Sequence, residues 1–387
     1  MPADNESQSR LTRVLLDGFK TISDLNLEMG QRNVLIGANG AGKSNLLSFF
    51  SMLNWITSAG QGGLQEYVAK NGGASSILRD GPEVTERVRA KLCFDSARGA
   101  NEYQARLAFA SGDTLIFTEE SFRFARADLG FVPEWINVSP GRQESGLGEL
   151  AHSTHPAAKT AAVIQLLLRR CAVFQFHNTS FTSRIRQSWD IEDQTFLKTD
   201  AGNLAPFLFR VQQEQPNVYE RITDAIRELA PFFRDFEFAP RRGKLLLQWR
   251  ERGTDRVFGA HQASDGTLRA MALIALLLQP ADWLPAMLLI DEPELGLNPA
   301  AISIIAGLLK AASVRSQIVV ATQSPLLVDS FEPEDIIAVD RGVTADDPFG
   351  RCSRYKRLQH AQLTDWLAEY SLGELWQKNV IGARPAQ

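Results

Sequence analysis

The stretch Val34–Leu47, VLIGANGAGKSNLL, limits what this chain can become more than any other part of its sequence. One apolar run ends at Gly37 and another begins after Ser44, so the pattern predicts a buried strand, a bare loop and a helix. Gly37, Ala38, Asn39, Gly40, Ala41 and Gly42 carry little side chain, which lets successive backbone amides turn inward without a Cβ clash. Gly37, Gly42, Lys43 and Ser44 fit the spacing G-x-x-x-x-G-K-[ST]. A nest of amides at a helix N-terminus attracts phosphate, and the helix dipole adds to that attraction. Lys43 is then expected to reach the β- and γ-phosphates, Ser44 to offer its hydroxyl to Mg²⁺, and Asn45 to complete the set of loop contacts.

A second stretch, AMLLIDEPELGLNP, supplies what such a loop needs. An apolar strand, Ala286 to Ile290, ends in two adjacent carboxylates, Asp291 and Glu292. Neighbouring strand residues point to opposite sides, so Asp291 is expected to hold Mg²⁺ while Glu292 faces the attacking water as general base.

Around these motifs the chain reads as an α/β protein. TRVLLDGF and ISDLNLEM alternate as strands before the loop. From about Glu83 to Arg126, three β-like runs are separated by hairpin punctuation, which predicts an antiparallel lobe. AAKTAAVIQLLLRR and the region Asn203 to Leu229, interrupted at Pro216, read as helices. In the last third strands and helices alternate, implying a parallel sheet with helices on it. The expected organisation is residues 1–150 as an N-terminal half with the antiparallel lobe, 151–240 as a helical insert, and 241–387 as a C-terminal half.

Composition narrows the function classes. With 44% hydrophobic and 22% charged residues, the chain has the make-up of a globular protein. A net charge of -4 gives no global attraction to nucleic acid, so any such contact must rest on patches such as RRGK (Arg241–Lys244) or RCSRYKR (Arg351–Arg357). Cys93, Cys171 and Cys352 lie far apart and form neither a zinc pattern nor a disulfide framework. The polar N-terminus and the broken apolar run around Gln279, Pro280 and Asp282 predict a cytoplasmic protein with no signal peptide and no membrane span.

DEPELGLNP on a buried strand resembles the Walker B and D-loop of ABC-type ATPases, and HQASDGTLRAMALIALLL resembles their signature motif, with Ser264 and Gly266 at its two most informative places. The resemblance implies a P-loop fold of the ABC ATPase type that binds ATP and Mg²⁺. It also implies that Ser264 and Gly266 contact the γ-phosphate of ATP held by a second copy, making a homodimer that sandwiches two nucleotides. Lys43 and Asp291 lie 248 positions apart, too far for a transporter cassette, and the gap holds no heptad repeat. The chain therefore looks like the RecF-like, SMC-like group of bacterial ATPases, often labelled AAA-type and related to the OLD-family ATPases. Its opening FKTISDLNLEMGQRN, FQFHNTS, ATQSPLLVD and closing WLAEYSLGELWQKN share that likeness.

Where ABC cassettes carry a switch histidine, VVATQSP places Gln323, which can hydrogen-bond to a γ-phosphate or its water but cannot gain a proton. Gln175 in VFQFHNTS is a candidate Q-loop residue at the metal, and His177 beside it is expected to be structural. Asp265, at a signature place where transporters prefer Gly, would repel phosphate unless it points away. OLD-family relatives carry a C-terminal nuclease domain; only 47 residues follow Asp340, so any cutting of nucleic acid is expected to fall to a separate effector. By that resemblance the setting is nucleic-acid surveillance, repair or antiphage defence. The alternative is a slow or non-hydrolysing scaffold that assembles an effector.

Overall fold

The computed structural model describes residues 9–58, 62–128, 130–138, 140–343 and 347–383. Strands β1 (Arg10–Phe19) and β2 (Ile22–Glu28) form a hairpin closed by Lys20 and Thr21, with Lys20 in the left-handed region at φ 49°. Strand β3 (Arg32–Ile36) then delivers the glycine loop to helix α1 (Lys43–Ser58), followed by α2 (Gly63–Lys70) and the single turn α3 (Ala74–Ile77). Next come β4 (Arg87–Ser96), β5 (Gly99–Ala110), β6 (Thr114–Arg126) and the short β7 (Ile136–Val138). With β1 and β2 they make a six-stranded antiparallel sheet in the order β2-β1-β4-β5-β6-β7.

The middle of the chain supplies α4 (Leu147–Ala151), α5 (Ala158–Arg169), β8 (Val173–Phe174), β9 (Trp189–Asp190), α6 (Leu204–Glu214) and α7 (Pro216–Leu229). Pro216 opens α7, where its missing N–H costs nothing. Short strands β10 (Phe233–Phe236), β11 (Lys244–Leu245), β12 (Gln248–Glu251) and β13 (Val257–Gly259) lead to α8 (Asp265–Leu278). The chain continues through β14 (Met287–Asp291), α9 (Pro299–Ala312), β15 (Gln317–Thr322), α10 (Pro325–Val328), β16 (Ile336–Asp340), β17 (Arg354–Arg357), α11 (Thr364–Leu367) and α12 (Leu372–Gln377).

A second six-stranded sheet has the order β17-β16-β3-β15-β14-β8; every pair is parallel except the edge pair β16–β17. Its strands read as continuous apolar runs because both faces are covered. Leu35, Leu289, Val319 and Ile337 enter a core shared with α1, α5 and the antiparallel sheet. Their neighbours Val34, Ile290, Val320 and Ile336 enter the other core, against α6, α7, α8 and α9. Residues 151–240, read as one helical lobe from the sequence, are divided between these cores: α5 packs into the first, α6 and α7 into the second. Periodicity marks an apolar face on each helix but not which sheet face will cover it.

The arginines of the RCSRYKR run are engaged within the fold. Arg354 pairs with Asp340 at 3.3 Å, Arg351 with Asp80 at 3.4 Å, and Arg357 donates to the carbonyls of Glu28 (2.8 Å) and Glu334 (2.7 Å). Of the parallel strands, β3, β15, β14 and β8 lie side by side with their carboxyl ends on one edge. Ligands of open α/β sheets gather at that edge, and here it carries Gly37, Gln323, Glu292 and Gln175, each next after a strand or one residue beyond it.

Candidate nucleotide site

The glycine loop is built to have its carbonyls held from behind. Ser353 Oγ donates to Ala41 O at 2.6 Å, Tyr355 OH to Gly42 O at 2.8 Å, and Arg341 to Gly40 O at 3.3 Å. Gly42 has φ 114°, and a Cβ there would sit 2.0 Å from Ser353 Oγ, so only glycine fits. Ala38 N donates to Ala383 O at 3.0 Å, which ties the loop to the segment after α12. Among the described residues the amides of Gly40, Gly42, Lys43 and Ser44 donate to no protein acceptor, as an anion nest requires.

Lys43 is buried and its Nζ donates to Gly37 O (2.6 Å) and Ala38 O (3.0 Å). Burial pulls its pKa down, while Glu292, Asp291 and Glu294 push it back up. The ammonium, held by two loop carbonyls, can exchange them for the oxygens of a polyphosphate on the glycine loop.

Those carboxylates differ in environment. Asp291, the last residue of β14, is buried, and burial raises its pKa against the lowering effect of His177, Gln175 and Ser44. Its Oδ2 accepts from Gln175 Nε2 at 3.1 Å, while Oδ1 is buried without any hydrogen-bond partner. An orphaned carboxylate oxygen beside the Ser44 hydroxyl and the Gln175 amide is an all-oxygen donor set suited to Mg²⁺. His177 stays structural in geometry: its Nε2 lies 3.0 Å from Asp291 O.

Glu292 departs from simple strand alternation. The strand ends at Asp291, and Glu292 takes φ 44°, a left-handed conformation that costs a non-glycine residue energy. Its amide still bonds to Ala321 O at 2.8 Å, and its carboxylate accepts from the side-chain amide of Gln323. Glu294, which sequence reasoning missed, accepts from Thr322 Oγ1 and Gln323 N, both at 2.7 Å, and so fixes the start of the switch segment. Its place inside DEPELGLNP was the available signal; its burial was not visible.

Ser264 and Gly266 lie apart from this cluster. Ser264 is exposed and caps α8, its Oγ accepting from Thr267 N at 3.1 Å, with no hydrogen bond to the glycine loop. The carboxylate of Asp265 is paired with the buried guanidinium of Arg186 at 2.7 Å. A Cβ on Gly266 would lie 2.2 Å from Gly296 O, so the tip of α8 rests directly on the DEPELGLNP segment. Arg269, one turn on, donates to Phe176 O (3.1 Å), His177 O (2.8 Å) and Leu295 O (3.2 Å). One guanidinium thus ties α8 to the segments after Gln175 and after Glu294. Arg269→Ala is expected to lower stability by about 2 kcal/mol, the scale of lost charged hydrogen bonds, in urea unfolding without nucleotide. A change below a few tenths would show that the clamp is not formed.

Two cavities flank the loop. One of about 430 Å³, on the β16 side, is lined by Ala38, Asn39, Gly40, Arg341, Gly342 and Asn379. The other, of about 440 Å³, opens at Ser44 and Gln175 on the β8 side. Among the described residues no cluster of three or more His, Cys, Asp or Glu side chains could hold a metal, and no helix is long and apolar enough to cross a membrane.

A family model described as "AAA domain, putative AbiEii toxin, Type IV TA system" matches residues 32–329. No curated protein matches the chain in sequence. Among solved structures, an Smc head bound to the C-winged helix domain of ScpA is 16% identical with a TM-score of 0.59, covering 91% of this chain and 99% of that one. An Smc head with an extended coiled coil, bound to the C-terminal domain of ScpA from Pyrococcus furiosus, is 13% identical with a TM-score of 0.57, covering 93% and 99%. The fold is that of an SMC-head-like, ABC-type P-loop ATPase.

Proposed function

The chain belongs to the AAA domain family that carries the AbiEii and type IV toxin–antitoxin description, and from that premise we propose that it is a Mg²⁺-dependent ATPase working as a nucleotide-sandwich homodimer. The observation that carries this reading is the convergence of Lys43, Ser44, Asp291, Glu292 and Gln323 at one sheet edge, with Ser264 exposed at the tip of α8.

The nucleoside lies on the β16 side of the loop, in the cavity beside Arg341 and Asn379, so the γ-phosphate points toward Asp291. Lys43 exchanges the carbonyls of Gly37 and Ala38 for phosphate oxygens. Ser44, Asp291 and Gln175 would hold Mg²⁺, which would supply neutralisation of charge on the phosphates. Gln323, set by its amide's bond to Glu294, orients Glu292 and a water. The water oxygen attacks the γ-phosphorus in line, its proton passes to a Glu292 carboxylate oxygen, and the bond to the ADP oxygen breaks. Ser264 and the amides of the α8 tip close over the γ-phosphate held by the other copy.

Both Smc heads above are bound to a domain of ScpA. That likeness supports a separate effector for this chain, in nucleic-acid surveillance, repair or antiphage defence. Exposed Trp366 on α11 is a place for it to dock. Ser264→Arg tests the sandwich. The bulky cation at the helix tip is expected to abolish the dimer seen by light scattering with a non-hydrolysable ATP analogue, and to leave single-chain nucleotide affinity within about twofold. Full dimerisation of the variant would sink the reading.

A further inference from the structure

We propose that the cavity of about 440 Å³ beside α1 is a phosphate site that receives the cleaved γ-phosphate and lets it leave through the chain that cleaved it. The inference rests on the sandwich reading, because there the twin's helix tip covers the outer side of the γ-phosphate.

The cavity starts at the metal end of the site, with Ser44 and Gln175 in its lining. Ser48 and Ser51 continue from Ser44 at spacings of four and three along α1, so three hydroxyls run along one helix face away from the glycine loop. Lys20, held in the left-handed turn between β1 and β2, reaches the middle of that row. Its half-buried Nζ donates to Ser48 Oγ at 2.6 Å, and among the described residues it makes no ion pair. Ser48 and Tyr67 share a hydroxyl bond of 2.6 Å, and Tyr67 OH also donates to Ser48 O at 2.7 Å.

A cation half removed from water with no counter-ion, facing a polar cavity, is a site for an anion. Asp200 is the lone carboxylate in the lining, and its charge is met by Arg184 Nη1 (3.0 Å) and Gly202 N (3.0 Å). Lys70 stands at the cavity too, paired with Glu66 at 2.7 Å and 4.3 Å from the Trp55 ring centroid. The chemistry fits a tetrahedral dianion: the Lys20 ammonium and the Ser51 hydroxyl remain to donate, the protons of Ser48 and Tyr67 being spent on Tyr67 and on Ser48 O.

The test is to titrate inorganic phosphate into protein loaded with ADP and Mg²⁺, so that the glycine loop is already filled, and to measure product inhibition of ATP turnover by phosphate. Lys20→Met keeps the length of the stem and removes the charge; Ser51→Asp adds a repelling charge on the serine-bearing face of α1. Both are expected to weaken phosphate binding and raise its inhibition constant about tenfold, with ATP affinity within twofold; Lys20→Arg restores them. Unchanged phosphate binding in both variants overturns the proposal, as does a wild-type protein that binds no phosphate when ADP is present. A wild-type chain that binds phosphate through Lys20 but never hydrolyses ATP would overturn the hydrolysis reading and the exit role together, leaving the cavity an anion site only.

Discussion

Glu292→Gln is expected to cut ATP turnover by about 10²- to 10⁴-fold, the usual worth of a general base, while ATP stays bound. The replacement has the same shape and retains a carbonyl oxygen for the Gln323 amide, so the switch segment should stay where Thr322 and Gln323 place it. What is lost is the capacity to take a proton from water. Since ATP is no longer consumed, the dimer that normally opens after cleavage should persist, as one long-lived species in size-exclusion chromatography with ATP and Mg²⁺. Phosphate release and dimer lifetime are therefore read on the same sample. A fall of less than about threefold in turnover would mean that another group takes the proton.

Gly266→Ala should lower turnover about 100-fold through geometry alone. The added methyl carbon would lie 2.2 Å from Gly296 O, roughly 1 Å inside ordinary contact, so either the α8 tip or the backbone around Gly296 must move. A misplacement of about that size away from the reacting atoms costs on the order of 10² in rate. Because Gly266 is remote from the glycine loop, binding of ATP by one chain should be nearly unchanged, whereas nucleotide-dependent dimerisation should fail. Measuring the two separately is decisive: weak ATP binding with intact dimers would show that the contact serves some other purpose.

Much of the active edge was readable because its residues obey local rules. The glycine loop needs bare backbone between a strand and a helix, and the paired carboxylates need a buried strand behind them; both demands fall within short windows. The supports were hidden because they come from far along the chain. Ser353 and Tyr355 reach the loop carbonyls from more than 300 positions away. Arg186 and Asp265 meet across 79, and Arg269 and Phe176 across 93. Periodicity reveals which side of an element is apolar, but a polar partner across such distances leaves no periodic trace. The same limit explains why RCSRYKR looked like an open basic run although Arg354 and Arg357 are used within the fold. Strand alternation does not reach Glu292, because the strand ends at Asp291 and Glu292 takes a left-handed backbone.

The bracing of the glycine loop by Arg341, Ser353, Tyr355 and Ala383 has a consequence for biosynthesis. The loop is translated early, yet the side chains and the carbonyl that shape it emerge more than 300 residues later. A nascent chain should therefore gain affinity for nucleotide only once residue 383 has emerged, and a message cut short before codon 341 should yield a product that holds ATP far more weakly.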